Sequence, residues 1–119
     1  MATFTKKLLS GSTSGRGITV AATATPGTTL HTGSTNTAVL QEVWLYAANT
    51  DTTARKLTIE WGNTSVPQDI IELTIPAESG LVLVAPGLLI AGAATALVVR
   101  GFASAASVVT IHGYVNEIV

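Results

Sequence analysis

Turn residues return at short, regular intervals along this chain, and that punctuation constrains its fold more than any other feature. After Gly17, runs of strand length alternate with clusters of Gly, Pro, Asn, Asp and Ser. Ile18–Ala24 ends at Pro26-Gly27, a type II turn signal. Thr28–Thr32 gives way to Gly33-Ser34-Thr35-Asn36, and Thr37–Ala48 to Asn49-Thr50-Asp51-Thr52. Ala54–Gly62 alternates as a half-buried strand does, with Leu57, Ile59 and Trp61 on one side and Lys56, Thr58 and Glu60 on the other. Asn63–Gln68, with Pro67, is a loop, and Asp69–Ile75 alternates again, setting Ile71, Leu73 and Ile75 against Glu72 and Thr74. Pro76–Gly80 turns the chain. Thr95–Ala103 and Ser107–Ile118 close it, separated by Ser104-Ala105-Ala106.

No segment shows a helical period over a helical length. Short strands spaced by turns predict an all-β fold, an antiparallel β-sandwich of about eight strands. With that many strands the expected arrangement is jelly-roll-like, two sheets packed face to face. The inward set should include Leu57, Ile59, Trp61, Ile71, Leu73, Leu97, Val99, Ile111 and Val115. The 119 residues make one domain.

Two apolar or basic segments need separate treatment. Gly80–Val99 carries no charge and is long enough to span a bilayer. Pro86-Gly87 and Gly92 interrupt it, so Leu81–Ala85 and Leu88–Ile90 read as buried strands flanking a corner, and no membrane partner is expected. At the other end, Lys6-Lys7 precede Leu8-Leu9 as a signal peptide's basic region would, but the apolar stretch stops at Ser10-Gly11. Residues 1–17 instead read as a flexible N-terminal arm rich in Ser and Gly, with the sandwich occupying residues 18–119.

Chemistry is scarce. Only 11% of residues are charged, the formal net charge is -1, and there is no cysteine. Such a balance offers no basic face for nucleic acid and no thiolate for zinc or iron–sulfur. Glu60 and Glu72 fall on adjacent strands, with Glu42 on the one before. Paired carboxylates of this kind serve glycosidases, yet acids on the polar side of a sandwich are ordinarily solvated, and Arg55 and Lys56 lie near enough to pair with them. His31 and His112 have no second ligand at helical or turn spacing, so no metal is expected. The Gly-rich run Ser10–Gly17 lacks the Gly-Lys-Ser/Thr ending of a phosphate loop, and no nucleophile elbow is present. The chain reads as neither an enzyme nor a cofactor carrier. Asn63-Thr64-Ser65 matches a glycosylation acceptor but carries no weight without a secretion signal.

An apolar, weakly charged chain of this size needs its exposed faces covered, by self-association or by docking on a larger assembly. Trp44 and Tyr46 share one side of their run with Leu40 and Glu42, where they serve a core, an interface or a sugar-stacking platform. Arg100, within an apolar strand, is an interface arginine or a guard against edge pairing. In the arm, Phe4, Lys6, Lys7, Leu8 and Leu9 are the natural anchor on a partner.

From Gly27 onward the chain resembles the small virion proteins of tailed bacteriophages. The resemblance lies in the opening GTTLHT, then VWLYAANTDTTARKLTIEWG, VAPGLLIAGAATALVVRGFAS and the closing HGYVNEIV. Such sequences look like the capsid decoration (cement) class of jelly-roll proteins. The resemblance implies a homotrimer on the capsid surface of the virion, clamping neighbouring major capsid subunits, with no catalytic residues. Related jelly rolls in head fibres, spikes and neck components imply the alternative, a carbohydrate- or receptor-binding sandwich.

Overall fold

A computed structural model describes residues 2–119. The described chain forms strands only: β1 (Phe4–Leu8), β2 (Ile18–Thr19), β3 (Thr28–Thr32), β4 (Leu40–Asn49), β5 (Arg55–Gly62), β6 (Ile70–Ile75), β7 (Val82–Ala91), β8 (Val98–Ala103) and β9 (Val109–Ile118). Their antiparallel pairings are nested. β1 and β2 pair with β9, β3 with β8, β4 with β7, and β5 with β6. The chain is thus one long hairpin whose tip is the β5–β6 loop. Rolling that hairpin up brings β9 against β4 and β8 against β5. Two sheets result, a larger one ordered β1-β9-β4-β7 with β2 also on β9, and a smaller one ordered β3-β8-β5-β6. This is the jelly-roll order, and no helix long and apolar enough to cross a membrane is among the described residues.

The core lies between the sheets and is built by side-chain alternation. Val43, Leu45 and Ala47 of β4 face Leu57 and Ile59 of β5, with Val99 of β8 and Val109, Ile111 and Val115 of β9, all fully buried. Burial of each larger aliphatic side chain contributes about 1.5–3 kcal/mol. Of the expected inward set, Leu57, Ile59, Val99, Ile111 and Val115 are completely enclosed, while Trp61, Ile71, Leu73 and Leu97 pack against the cluster from its rim.

Three expectations need correction. The N-terminal segment is not a flexible arm. Phe4–Leu8 pairs with β9 along its whole length, from Phe4 opposite Ile118 to Leu8 opposite Tyr114, and Thr3 exchanges backbone hydrogen bonds of 2.7 and 2.9 Å with Val119. Leu9 is then buried in the core, so residue 17 is no domain boundary; Met1 lies outside the described residues. The cause is β9, which would otherwise end the larger sheet with a row of unpaired N–H and C=O groups.

The second correction concerns Pro86-Gly87, which does not split the apolar stretch into two strands. β7 runs straight through it, with register shifts against β4 between Val43 and Trp44 and between Leu45 and Tyr46. As the last strand of its sheet, β7 tolerates a proline that donates no ladder bond. Gly87 takes a left-handed φ of 72°, and a Cβ there would lie 2.9 Å from Trp44 Cζ2.

The third concerns Glu60, which is not a solvated surface acid. The chain leaves β2 through Val20, whose N–H donates to Val109 O, and crosses to the smaller sheet, where Ala103 N–H donates to Ala22 O. The segment that follows lies over the outer side of β5 and buries Thr58 and Glu60. The Glu60 carboxylate accepts from Thr25 Oγ1 at 2.5 Å and from Gly27 N at 2.7 Å. Residue 27 must be glycine, because a Cβ there would meet the Gly101 backbone at 2.5–2.8 Å.

Candidate functional site

The outward positions of β4 and β9 alternate with the core positions and lie side by side. In register, Leu40 faces Ile118, Glu42 faces Asn116, Trp44 faces Tyr114 and Tyr46 faces His112. β1 extends these rows on one flank with Phe4, Lys6 and Leu8, and β7 on the other with Leu83 and Leu89. The outer face of the larger sheet therefore carries aromatic and exposed apolar side chains with Lys6, Glu42, His112 and Asn116 set among them. Phe4 is 70% exposed, Leu8 54%, Leu89 53% and Leu83 47%.

The centre of the face is fixed in place. The Trp44 and Tyr114 rings are stacked, with centroids 6.0 Å apart and planes 13° from parallel. Lys6 Nζ sits 4.9 Å from the Tyr114 centroid, a cation–π contact. Trp44 Nε1–H donates to Glu42 Oε1 at 2.7 Å, and Asn116 Nδ2 donates to the same oxygen at 3.0 Å. These two hydrogen bonds hold the Glu42 carboxyl below the usual carboxylate range. Bare Gly87 beneath the indole lets the ring lie flat on the sheet.

Of the side chains singled out in the sequence, Phe4, Lys6, Leu8, Trp44 and Tyr46 meet on this face. Lys7 points to the opposite side of β1 and pairs with Glu117 at 2.9 Å. Leu9, a core residue, is unavailable to a partner. Arg100 lies on the other sheet, opposite Thr29 on one side and Glu60 on the other, and joins no ion pair among the described residues. Sequence reasoning missed Tyr114, Asn116, Leu83 and Leu89. The alternation His112, Tyr114, Asn116 against Ile111 and Val115 was the signal for the first two.

Several of the other titratable groups are held by structural partners. Lys56 Nζ meets Glu72 at 2.6 Å and Arg55 meets Asp51 at 2.6 Å. His31 is buried, and a directed chain of hydrogen bonds passes through it. Ser10 N–H donates to His31 Nδ1 at 3.1 Å, and His31 Nε2 lies 2.7 Å from Gln41 Oε1. Gln41 Nε2 donates in turn to Glu117 at 2.9 Å. With Nδ1 accepting, the imidazole is neutral and Nε2–H is its donor. Burial lowers the His31 pKa, opposed by the Gln41 hydrogen bond. Among the described residues no group of three or more His, Asp or Glu is placed to hold a metal ion.

No family model, curated protein or solved structure matches the chain.

Proposed function

We propose that this chain is a structural protein of a tailed-bacteriophage virion, a capsid decoration protein that attaches through the outer face of its larger sheet. The observation that carries the reading is the concentration of exposed Phe4, Leu8, Leu83 and Leu89 around a rigid Trp44–Tyr114 pair on a single face. An exposed apolar face rimmed by polar groups is a protein-binding surface. Its occupant in this reading is the major capsid protein, with three copies of the chain grouped at each site on the capsid surface. The reading assigns the chain no catalysis, cofactor, nucleic acid or membrane. The resemblance in the sequence supplies the virion context, and the jelly-roll order agrees with it.

The alternative is a head-fibre, spike or neck component that binds sugar on Trp44 and Tyr46. The packing of Trp44 favours the first reading. Its ring is stacked against Tyr114 and tied to Glu42 rather than left as an open platform.

The test is co-sedimentation of the purified chain with heads of the encoding phage stripped of accessory proteins. Wild-type chain should pellet with heads at a fixed stoichiometry, and the double variant Leu83→Asp, Leu89→Asp should remain in the supernatant while melting as wild type does. Wild-type chain that stays in the supernatant, or a double variant that pellets equally well, contradicts the reading.

A further inference from the structure

The Gly-rich stretch Ser10–Gly17 takes no part in the attachment face, yet it is folded. Gly11 N–H donates to Leu30 O, Ser12 N–H to Leu9 O and Arg16 N–H to Thr13 O, each at 3.0 Å, and Ser12 Oγ donates to Arg16 O at 2.7 Å. Ser14 and Gly15 both have left-handed φ, 55° and 84°, which reverses the chain. The turn delivers Arg16 and Gly17 to the outward side of β9, where His112 stands. A Cβ at position 17 would lie 2.7 Å from His112 Cε1 and 2.8 Å from Nε2, so the imidazole rests against the bare glycine backbone.

Between this loop and the sheet is an open cleft of about 450 Å³ whose polar lining is Thr13, Arg16, Thr19, Thr110 and His112. Thr19 and Thr110 lie opposite each other in the β2–β9 register. No carboxylate lines the cleft, and Arg16 is in none of the ion pairs among the described residues, which use Lys7, Arg55 and Lys56. The five side chains thus present a guanidinium, an imidazole and three hydroxyls to one space with no acid to neutralise them.

We infer that this cleft is a binding site for a phosphate-class oxyanion. The Arg16 guanidinium offers a planar fork of donors that matches two oxygens of such an ion. The Thr hydroxyls rotate to supply donors from other directions, and the imidazole N–H supplies another. A tetrahedral anion accepts from several sides at once, which suits donors spread over a loop, β2 and β9. His112 faces Tyr46, so the site borders the attachment face, but neither assignment depends on the other.

The test is a titration of the full chain with inorganic phosphate at constant ionic strength, followed in proton–nitrogen correlation spectra. Saturable shifts should centre on Thr13, Arg16, Gly17, Thr19, Thr110 and His112. Arg16→Gln should weaken binding about tenfold to a hundredfold, the loss expected when hydrogen bonds to a charged group are removed. Its melting temperature should match wild type. Should Arg16→Gln fail to fold, His112→Gln and Thr110→Val carry the same comparison, each with a smaller loss. A parallel titration with glucose 6-phosphate against glucose separates the sources. Tighter binding of the phosphorylated sugar identifies a phosphoryl group borne on a larger molecule, and binding of inorganic phosphate alone identifies the free ion. Shifts that do not saturate, that spread over all cationic residues, or that persist unchanged in Arg16→Gln overturn the inference.

Discussion

The two sheets of this sandwich turn opposite kinds of surface to the outside. The smaller sheet is polar and partly covered on its outer side. Its outer side carries the Lys56–Glu72 ion pair, and the segment through Thr25 and Gly27 closes over Glu60. None of its strands contributes a large exposed apolar side chain, whereas the larger sheet exposes Phe4, Leu8, Leu40, Leu83, Leu88 and Leu89. One sheet is thus partly covered by its own chain, and the other leaves large apolar side chains uncovered. Asymmetry of that kind locates an interface more firmly than total hydropathy, because a sandwich buries half of each strand whatever its outer faces carry.

The comparison predicts where substitutions act. The largest effect on stability separates two neighbours at the end of β1. Leu9→Ala should cost about 2–5 kcal/mol, as a core cavity does, while Leu8→Ala should fall within about 0.5 kcal/mol of wild type. Urea unfolding of both variants measures the difference, and equal costs would return the N-terminal segment to a loosely attached arm. A smaller effect separates the acids of the two outer faces. Glu60→Ala leaves the Gly27 N–H and the Thr25 hydroxyl without their acceptor and should cost about 1–3 kcal/mol. Glu42→Ala should leave the melting temperature nearly unchanged and alter the Trp44 fluorescence, since its carboxylate orients an indole on an open face.

The pH dependence should be smaller still near neutrality, and it has a definite sign. Burial sets the native His31 pKa below its ordinary value of 6.5, with Gln41 and Glu117 working against the shift and Lys7 with it. On acidification the unfolded chain takes up this proton first, so stability is full above about pH 6.5 and falls as pH drops from there toward the lowered native value. Glu117, lowered by Lys7 and Gln41, adds a second loss as pH falls below its ordinary 4.5. Melting temperatures from pH 8 to 4 should therefore decline, and His31→Gln should flatten the upper part of that decline. A wild-type profile that is level between pH 7 and 5 would remove His31 from this role.

Much of the fold was legible because alternation reports burial directly. Leu57, Ile59 and Trp61 set the face of β5, and alternation put Trp44 and Tyr46 on one side of β4, although only the pairing with β9 shows that this side is the outer one. β1 was not legible, because all its residues are exposed and it is ordered by main-chain bonds to β9, which leave no apolar pattern. β7 hid behind Pro86-Gly87, a turn signal in isolation and a bulge on an edge strand in the sheet. The burial of Glu60 was equally invisible, since the groups that cover it lie 33 and 35 residues away in sequence. The aromatic and apolar outer face of the larger sheet was half legible. Its β4 and β1 members stood out as aromatic and apolar, but Tyr114 and Leu83 join them only through pairing across the sheet.

The central claim is that the outer face of the larger sheet is the covered one in the functional assembly. Hydroxyl-radical footprinting, read by mass spectrometry on free chain and on chain bound to heads, measures this residue by residue. The account predicts that Phe4, Trp44, Tyr46, Leu83 and Tyr114 lose labelling on binding while Phe102 and Val66, on the smaller sheet and its loop, keep theirs. Unchanged labelling of Trp44, Leu83 and Tyr114 together with protection of Phe102 and Val66 would contradict it.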